Sequence, residues 1–350
     1  MEHIPTLPSI SICVPTRNRD KLLQNTLEAM RRQSRPYMEL IVGDDASMDE
    51  TRTVVESFHD PRIRYIRHEK NVGIYANWNK LVELCSGDYV CIYHDHDNYE
   101  DTILERLAEL LDEHQNMSFA HTAHTLIDAQ GNLVGIDVWD FPSVMQGSEL
   151  RLRIANHWNA PVVAATAMVR RAAYLKAGPY EASKYGLACD KHMWFRLAAE
   201  GTVGYVPEPQ AHIRVRERNG ATSIFSWDNI LLPQLMRRDE IAEVYAANQV
   251  EGRKAERRMN QDLDRKLLVL ATRCLLLDPP EVWLAEENRV ISQMGITARL
   301  AYRFIRSSRL IRSFLKAIVL PLHYKRIARK AAIEQRHAKD YASQHPRIHV

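Results

Sequence analysis

The chain has 350 residues, of which 45% are hydrophobic and 26% are charged, which is the composition of a globular protein with room for one large domain and an extension, or for two domains. Its formal net charge of +3 favours no class of partner by itself, and no run approaches the roughly 18 uncharged residues that a membrane-spanning helix needs. Five cysteines without a CxxC pair argue against a disulfide framework or a zinc ribbon. Because the N-terminus also lacks the features of a signal peptide, we expect a cytoplasmic protein.

The first third of the chain alternates between strand and helix patterns. Hydrophobic, β-branched runs are separated by segments whose apolar residues recur at helical spacing, as Leu23, Leu27 and Met30 do. This alternation predicts βαβ units, and therefore an α/β fold with a Rossmann-like, mostly parallel sheet and helices on both faces. The predicted strands are "SISICVP", "MELIVGDDAS", "RIRYIRH" and "DYVCIYH", and the helices that follow them are "DKLLQNTLEAMRRQ", "MDETRTVVESFH", "NWNKLVELCS" and "EDTILERLAELLDEH".

The middle and the end of the chain have different patterns. "SFAHTAHTLIDAQGNLVG" predicts two strands joined by a turn around Gly131, and "PVVAATAMVRRAAYLKAG" predicts a strand and a short helix. "KYGLACDKHMWFRLAAEG" contains a helix, and "GTVGYVPEP" is a further strand. Beyond about Ser226 the strand patterns cease, and the sequence is helical and rich in Arg and Lys. We predict a domain over residues 1–225 and a helical, basic extension over residues 226–350.

Polar side chains follow the second and fourth predicted strands, at the point where each strand ends. Asp44 and Asp45 follow the second strand, and the run from His94 to Asp97, "HDHD", follows the fourth. The carboxyl ends of parallel strands share one edge of the sheet, and ligands of open α/β sheets bind at that edge. Since hard divalent cations take carboxylate oxygens, this edge is a candidate metal and phosphate site. Acidic loop ends that are merely solvated are the alternative.

A zinc hydrolase is a competing interpretation of the "HDHD" run. A metallohydrolase signature of the HxHxDH kind would need Asp at position 98 and His at position 99, where this chain has Asn98 and Tyr99. His121 and His124 could add ligands, but their odd spacing puts them on opposite faces of a strand. The sequence therefore favours a magnesium or manganese site over a zinc site.

Six segments, taken in order, resemble the successive motifs of the family 2 inverting glycosyltransferases of GT-A fold. The resemblance covers about residues 9 to 216 and ends there. "WNAP" at Trp158 to Pro161 and "DN" at Asp97 and Asn98 also resemble the spore-coat polysaccharide branch of that family. The six segments are "ICVPTRNR", "VGDDASMDET", "NVGIYANWN", "GDYVCIYHDHDN", "LIDAQGNLVG" and "ACDKHMWFRLAAEG".

The resemblance implies a metal site and a donor site at the predicted sheet edge. Asp97 matches the last carboxylate of the family's DxD motif and is the candidate ligand of Mn²⁺ or Mg²⁺, with Asp95 as a second carboxylate. His94 and His96 stand where many relatives have Asp, so His96 binds either the metal or a phosphate. Residues expected to bind a nucleotide-sugar donor are Pro15, Thr16, Arg17, Asp44, Asp45, Asn71, Asn79, Asp95, His96 and Arg216.

The resemblance implies sharper roles for Asp45, Asp190 and Arg216. Asp45 matches the residue that recognises the base, although a carboxylate here could also cap the next helix. Asp190 matches the catalytic base, which takes the proton of the acceptor hydroxyl as it attacks the anomeric carbon; the alternative is again a helix cap. Arg216 stands in a segment where many relatives have Arg-x-His, so it could neutralise the diphosphate directly. Asn71 could equally be a helix cap.

The resemblance implies a hexosyltransferase of bacterial surface polysaccharide assembly. Residues 1–225 would be its catalytic domain, with the nucleotide-binding half at about 1–100 and the acceptor half at about 101–225. We expect a UDP- or dTDP-sugar donor and a glycan or lipid-linked acceptor. A nucleotidyltransferase and a non-catalytic subunit that binds sugar nucleotides are the alternatives.

The extension is basic and amphipathic. From Ala301 to Ile333 it has nine Lys or Arg residues and no acid, interleaved with apolar residues such as Phe304 and Leu310. This pattern is typical of a helix on an anionic membrane surface at the inner face of the cell membrane, and equally of a helix packed on the protein or on a second subunit. Nucleic acid binding is disfavoured, because no known motif accompanies the charge.

Overall fold

The computed structural model of the chain describes residues 7–157, 161–215, 228–276, 291–292 and 294–308, with a few single positions beyond them. The strands are β1 (Ile10–Thr16), β2 (Glu39–Asp44), β3 (Ile63–Arg67), β4 (Tyr89–Ile92), β5 (Asn98–Tyr99), β6 (Met117–Ile127), β7 (Leu133–Asp137), β8 (Val144–Gln146), β9 (Ala167–Arg170) and β10 (Thr202–Arg214). The α-helices are α1 (Asp20–Arg31), α2 (Thr51–Ser57), α3 (Ile74–Leu84), α4 (Ile103–Glu113), α5 (Gly147–His157), α6 (Arg171–Ala177), α7 (Ala182–Tyr185), α8 (Cys189–Leu197), α9 (Asp228–Val244), α10 (Gln249–Leu276) and α11 (Ile296–Ser307).

All of these strands belong to one sheet, whose main path runs β3-β2-β1-β4-β9-β6-β10-β5. The half formed by β3, β2, β1 and β4 is parallel throughout, as the βαβ pattern predicts. Beyond β4 the directions mix, because β9 runs antiparallel to both β4 and β6, while β6 and β10 are parallel. β7 and β8 attach to β6 and β10 as antiparallel strands. The α/β fold is confirmed, with its parallel strands concentrated in the N-terminal half and in the β6–β10 pair.

Side chains of β1 alternate between two buried faces of the sheet. Ile10, Ile12 and Val14 pack with α1, α2 and α4 on one face, whereas Cys13 packs with α3, α5, α6 and α8 on the other. Full burial of a Leu or Ile side chain contributes about 1.5–3 kcal/mol to the free energy of unfolding. Helices on both faces therefore hold the strands so that the loops after β1, β2 and β4 meet at one edge.

The described part of the extension is helical, as predicted. Helix α9 packs against α5, α10 packs against α9, and α11 packs against α10. Within the part of the chain that the structure describes, no helix combines the length and the apolar character that crossing a bilayer requires.

A buried polar pair joins α9 to α8. Glu240 and His192 are almost completely buried, and the carboxyl Oε1 of Glu240 lies 3.1 Å from Nδ1 of His192. Burial raises the pKa of Glu240 to about 8 and lowers the pKa of His192 to about 4. The hydrogen bond therefore joins two side chains whose burial disfavours the charged form of each.

Candidate active site

A cleft of about 690 Å³ opens at the carboxyl ends of β1, β2 and β4. It forms there because β1 pairs with β2 on one side and with β4 on the other, so that the loops after these strands converge. Seven of the residues predicted to bind the donor line this cleft: Pro15, Thr16, Arg17, Asp45, Asn71, Asp95 and His96.

Asp45 links the loop after β2 to the loop before α3. Its carboxylate accepts hydrogen bonds from the amides of Val72, at 2.6 Å, and Gly73, at 3.1 Å. Asn71 supports the same turn, because its side-chain oxygen accepts the Gly73 amide at 3.0 Å. Gly73 has a φ of +90°, a conformation that favours glycine. Asp45 is thus held in place at the wall of the cleft by the backbone opposite.

Asp44 lies beneath the cleft and not in its wall. Its side chain is buried, and its carboxylate accepts hydrogen bonds from the Tyr65 hydroxyl and from the Ser47 amide, the latter at 2.8 Å. Arg67 pairs with it at 3.5 Å. The sequence predicts a contact between Asp44 and the donor, but in this structure Asp44 fixes the turn that carries Asp45.

Asp95 has hydrogen-bond partners on both carboxylate oxygens. Oδ2 accepts from the Thr16 hydroxyl at 2.7 Å, while Oδ1 lies 3.0 Å from a guanidinium nitrogen of Arg19 and 2.8 Å from Nδ1 of His96. Burial alone would raise the pKa of Asp95, but these hydrogen bonds and the charge of Arg19 outweigh it and lower the pKa below its usual range. Asp95 therefore joins the loop after β4 to the end of β1.

Asp97 is buried and lies beside two imidazoles. Its Oδ2 is 2.8 Å from Nδ1 of His94, its Oδ1 accepts the amide of Arg214 at 2.8 Å, and the same Oδ1 is 3.9 Å from Nε2 of His96. Burial opposes ionisation, but the hydrogen bond from His94 and the nearby imidazoles lower the pKa of Asp97. The rings of Trp78, His94 and His96 stack in sequence, with centroids 5.7 Å and 5.4 Å apart.

His94, His96 and Asp97 have the geometry of a metal site. One ligand atom from each lies within 4.8 Å of the others, and they are the one such group among the described residues. Imidazole nitrogens suit first-row transition metals such as Zn²⁺ and Fe²⁺, and a carboxylate oxygen also suits Mn²⁺, so this set fits a transition-metal cation better than Mg²⁺. Asp95 does not belong to this group, because its carboxylate is bound to Thr16, Arg19 and His96. Asp95 as a direct ligand stays a prediction.

Asp190 lies in the first turn of α8, close to this cluster. Leu187, three residues earlier, lines the cleft. Burial raises the pKa of Asp190, while the Lys191 amide, bound at 2.7 Å, and the charges of Lys191 and His94 oppose the increase. Burial and the charge of Asp190 in turn raise the pKa of Tyr75. Asp190 is therefore a partly desolvated carboxylate, three residues beyond the point where Leu187 lines the cleft.

Asn79 lies away from the cleft. Its side chain accepts the Tyr180 amide at 2.8 Å and donates to the Tyr180 carbonyl at 3.1 Å. The sequence predicts that Asn79 contacts the donor, but the structure places it in a different, smaller depression. Its neighbours on α3, Asn77 and Trp78, line the cleft instead.

The sequence does not identify three cleft residues that the structure brings in. Arg19 reaches Asp95 from the start of α1, and Trp78 stacks on His94. Asn77 donates to the Gly43 carbonyl at 2.7 Å. A Cβ on Gly43 would lie only 2.5 Å from the Asn77 side chain, so this position needs glycine. The "TRNR" and "NWN" segments contain these residues, but the pattern alone does not show which of them face the cleft.

Arg214 closes the loop that carries the metal-site residues. Its guanidinium donates to the carbonyls of His96, at 3.0 Å, and Asp128, at 2.7 Å. Arg216, the predicted diphosphate contact, lies outside the described residues, as do positions 158–160 of the "WNAP" segment.

Comparisons with known proteins agree with this geometry. Residues 11–176 match the model of "Glycosyl transferase family 2". Over 131 residues the chain is 32% identical to the GalNAc(5)-diNAcBac-PP-undecaprenol beta-1,3-glucosyltransferase of Campylobacter jejuni, covering 36% of this chain and 41% of the relative. It is 29% identical over 126 residues to the putative teichuronic acid biosynthesis glycosyltransferase TuaG of Bacillus subtilis, covering 35% of this chain and 50% of TuaG. The chain thus spans half or less of the length of these two relatives.

Solved structures of S. aureus TarS have the same fold. The complex of TarS residues 1–349 with UDP superposes with a TM-score of 0.59 at 18% identity, covering 85% of this chain and 87% of TarS. The complex with UDP-GlcNAc gives a TM-score of 0.58 at 20% identity, covering 96% and 92%. At this level of sequence identity the similarity establishes the fold but does not show that this chain binds the same ligands.

Proposed function

We propose that the chain, whose residues 11–176 match the family 2 glycosyltransferase model and whose fold is that of TarS, transfers a sugar, with inversion, from a UDP- or dTDP-sugar to a hydroxyl of a polysaccharide or lipid-linked glycan. The TarS complexes with UDP and UDP-GlcNAc support a uridine donor. The relatives named for an undecaprenol-linked acceptor and for teichuronic acid biosynthesis support acceptors of bacterial surface polysaccharide assembly.

The observation that carries this proposal is that two kinds of chemistry border one cleft. His94 and His96 line it and form one cluster with Asp97, and Leu187, three residues before the candidate base Asp190, lines it as well. Direct displacement at an anomeric carbon needs both kinds of group, because charge develops on the leaving diphosphate while a proton leaves the attacking hydroxyl.

The metal would be held by Asp97 and His96, with His94 or Asp95 completing or supporting the set. A bound Mn²⁺ or Mg²⁺ would offset the charge that develops on the diphosphate. Asp97 suits the role because hydrogen bonds lower its pKa and keep it ionised. Arg214 holds the same loop, because its guanidinium donates to the His96 carbonyl and its backbone amide donates to the Asp97 carboxylate. The ligand set therefore needs little rearrangement on loading.

The donor would extend from the metal towards Asp45. Pro15 and Thr16 end β1 and Arg17 follows it. All three line the wall between these two points, and Arg17 offers a cation to phosphate. Asp45 would accept from the base or ribose, which requires its carboxylate to share its lone pairs with the Val72 and Gly73 amides. A carboxylate has about four acceptor sites, so two backbone bonds leave capacity for a ligand.

Asp190 would act as the general base. Its raised pKa makes it a better proton acceptor than an exposed Asp. The Lys191 amide occupies one oxygen and leaves the other for the acceptor hydroxyl.

The test combines donor binding with product analysis. The full chain is screened with UDP- and dTDP-sugars and Mn²⁺ for thermal stabilisation, because a ligand that binds only the folded state raises the melting temperature. Stabilising donors are then incubated with lipid-linked and polysaccharide acceptors. We expect release of nucleoside diphosphate and a product of inverted anomeric configuration. Release of pyrophosphate would indicate a nucleotidyltransferase, and binding without turnover of any donor would indicate a non-catalytic subunit.

A further inference from the structure

Helix α11 presents an exposed apolar stripe on the side away from the protein. Ile296, Leu300 and Phe304 are 76%, 59% and 63% exposed and follow one another at a spacing of four residues. At about 100° per residue this spacing places them along one face. Tyr302, fully buried, and Ala298, 6% exposed, lie on roughly the opposite face and pack towards α10. The face of α11 that packs against the protein is therefore the one with Ala298 and Tyr302, and the stripe is a second apolar face, exposed to solvent.

The helix is anchored so that the stripe cannot easily turn inward. Asp264 of α10 accepts the amide of Gly295, just before α11, at 2.6 Å. A Cβ on Gly295 would lie 2.4 Å from the same carboxylate, so the junction is tight. Arg299 donates to the carbonyls of Ser292 and Met294, at 3.1 Å and 2.8 Å. These contacts fix the rotation of α11 about its own axis.

Cations border the stripe. Arg303 and Arg306 are exposed, and Arg303 lies next to Leu300 on the helix surface. The sequence from Ile296 to Ile333 contains no Asp or Glu, and Lys325 and Arg329, among the few described positions there, are exposed as well.

We infer that α11 lies on an anionic lipid bilayer, with Ile296, Leu300 and Phe304 inserted among the acyl chains and the arginines against the lipid phosphates. An amphipathic helix with bulky apolar residues on one face and Arg at its border binds in this way, with its apolar face about 5–10 Å deep. Each cation near such a surface contributes attraction that salt screens.

The charge pattern favours lipid over a second copy of this chain. A two-fold dimer that pairs the stripes of antiparallel helices would bring the Arg303 and Arg306 rows of both copies together, and like charges at an interface are costly. An anionic surface instead turns the same arginines into favourable contacts. The inference rests on the proposed function and adds a location for it, the surface of an anionic membrane. Its test measures vesicle binding and needs no turnover.

The experiment is co-sedimentation of the full chain with vesicles of phosphatidylcholine alone and of phosphatidylcholine mixed with phosphatidylglycerol. The wild type should bind the mixed vesicles, bind the neutral ones at least about tenfold more weakly, and dissociate as NaCl is raised. The variant Leu300→Gln/Phe304→Gln should lower the partition coefficient by about tenfold or more, because it removes two inserted side chains. Arg303→Gln should lower it about fivefold.

The matched control is Leu175→Gln/Met48→Gln. Leu175 and Met48 are also exposed, at 60% and 87%, but they lie elsewhere in the fold, so this variant should bind vesicles as the wild type does. Melting temperatures of all variants should agree, since every altered side chain is exposed. Equal binding of the α11 variant and the control, or no binding of the wild type to anionic vesicles, would overturn the inference. A second result would also overturn it: a wild-type chain that does not bind vesicles but forms a dimer, which the Leu300→Gln/Phe304→Gln variant dissociates.

Discussion

His94 and Asp97 are joined by a 2.8 Å contact between imidazole Nδ1 and carboxylate Oδ2. The second oxygen of Asp97 accepts the Arg214 amide at 2.8 Å. Two neighbours from different elements thereby fix the plane of the carboxylate, and its Oδ1 faces Nε2 of His96. A cation would meet a carboxylate and an imidazole whose positions are already set.

Asp97→Ala should weaken Mn²⁺-dependent UDP binding by more than about 100-fold, because even the loss of an outer-shell partner of a metal ligand commonly costs 10–100-fold in affinity. Calorimetric titration of UDP with and without Mn²⁺ measures the effect. Asp101→Ala is the control, since Asp101 is a nearby acid whose exposed side chain pairs with the equally exposed Arg32. Metal-dependent binding that survives in Asp97→Ala would show that another carboxylate is the ligand.

The companion variant His96→Ala decides whether the His96 imidazole binds the metal or only a phosphate. A direct ligand should lose metal affinity to a degree comparable with Asp97→Ala. A residue that only contacts phosphate should leave Mn²⁺ affinity nearly unchanged while UDP binds more weakly.

Asp45→Ala should weaken binding of the whole nucleotide about tenfold or more while the requirement for Mn²⁺ remains, because hydrogen bonds to a charged group contribute about 1.5–3 kcal/mol. The variant also releases the Val72 and Gly73 amides, so its melting temperature is measured in parallel. Calorimetry with UDP and with diphosphate alone separates the loss of base or ribose recognition from a general disturbance of the cleft. If UDP affinity is unchanged, Asp45 serves only to anchor the loop.

Asp190→Asn should abolish most turnover and leave the donor bound. The amide keeps the shape of the side chain but has no useful proton affinity, so kcat should fall about 10²–10⁴-fold with little change in donor Kd. A helix cap would behave differently, because Asn caps a helix about as well as Asp. Transfer within a few-fold of the wild-type rate would exclude Asp190 as the base.

The same variant should not destabilise the protein at neutral pH. The folded-state pKa of Asp190 is higher than its unfolded value of about 3.9, so ionising the buried carboxyl costs stability once the pH exceeds that value, and the full cost is present above the raised pKa. Asn removes this cost. Its melting temperature should equal or exceed that of the wild type at pH 7.5, and the gap should close as the pH falls through the raised pKa.

Glu240 makes the stability of the α8–α9 contact depend on pH. Its pKa is about 8 in the fold and about 4.3 unfolded, so the folded state binds the extra proton between these values. Below about pH 6.5 the proton that His192 gains on unfolding offsets this difference, so the free energy of unfolding should decline between about pH 6.5 and 8, by at most about 1.4 kcal/mol per pH unit, and level off above pH 8. Glu240→Gln should flatten this dependence in denaturant titrations. An unchanged slope would show that Glu240 is ionised in the fold.

The sequence predicts most of the parallel half of the sheet, because long, strongly patterned strands end in polar residues whose common edge follows from the βαβ rule. Asp45, Asp95 and His96 are found that way. β5 and β8 have two and three residues, too few for any periodicity, and the antiparallel direction of β9 depends on its neighbours β4 and β6.

Helix-borne residues of the site are harder to predict. Asn77 and Asn79 both belong to "NWN", but two positions along a helix differ by about 200° in direction, so only one can face the cleft. The packing of α3 on the sheet decides which, and that packing involves residues far away in the sequence, such as Tyr180.

The order of the strands carries a consequence of its own. From β1 the chain winds outward in one direction through β2 and β3, and then returns to the other side of β1 at β4. The crossovers on the two sides of β1 therefore diverge, and the gap between them is a crevice that the connectivity itself creates. The cleft owes its location to this reversal of winding, whereas its lining residues determine only what it binds. Exchanging those side chains can change the ligand, but the place of binding is inherited from the path of the chain.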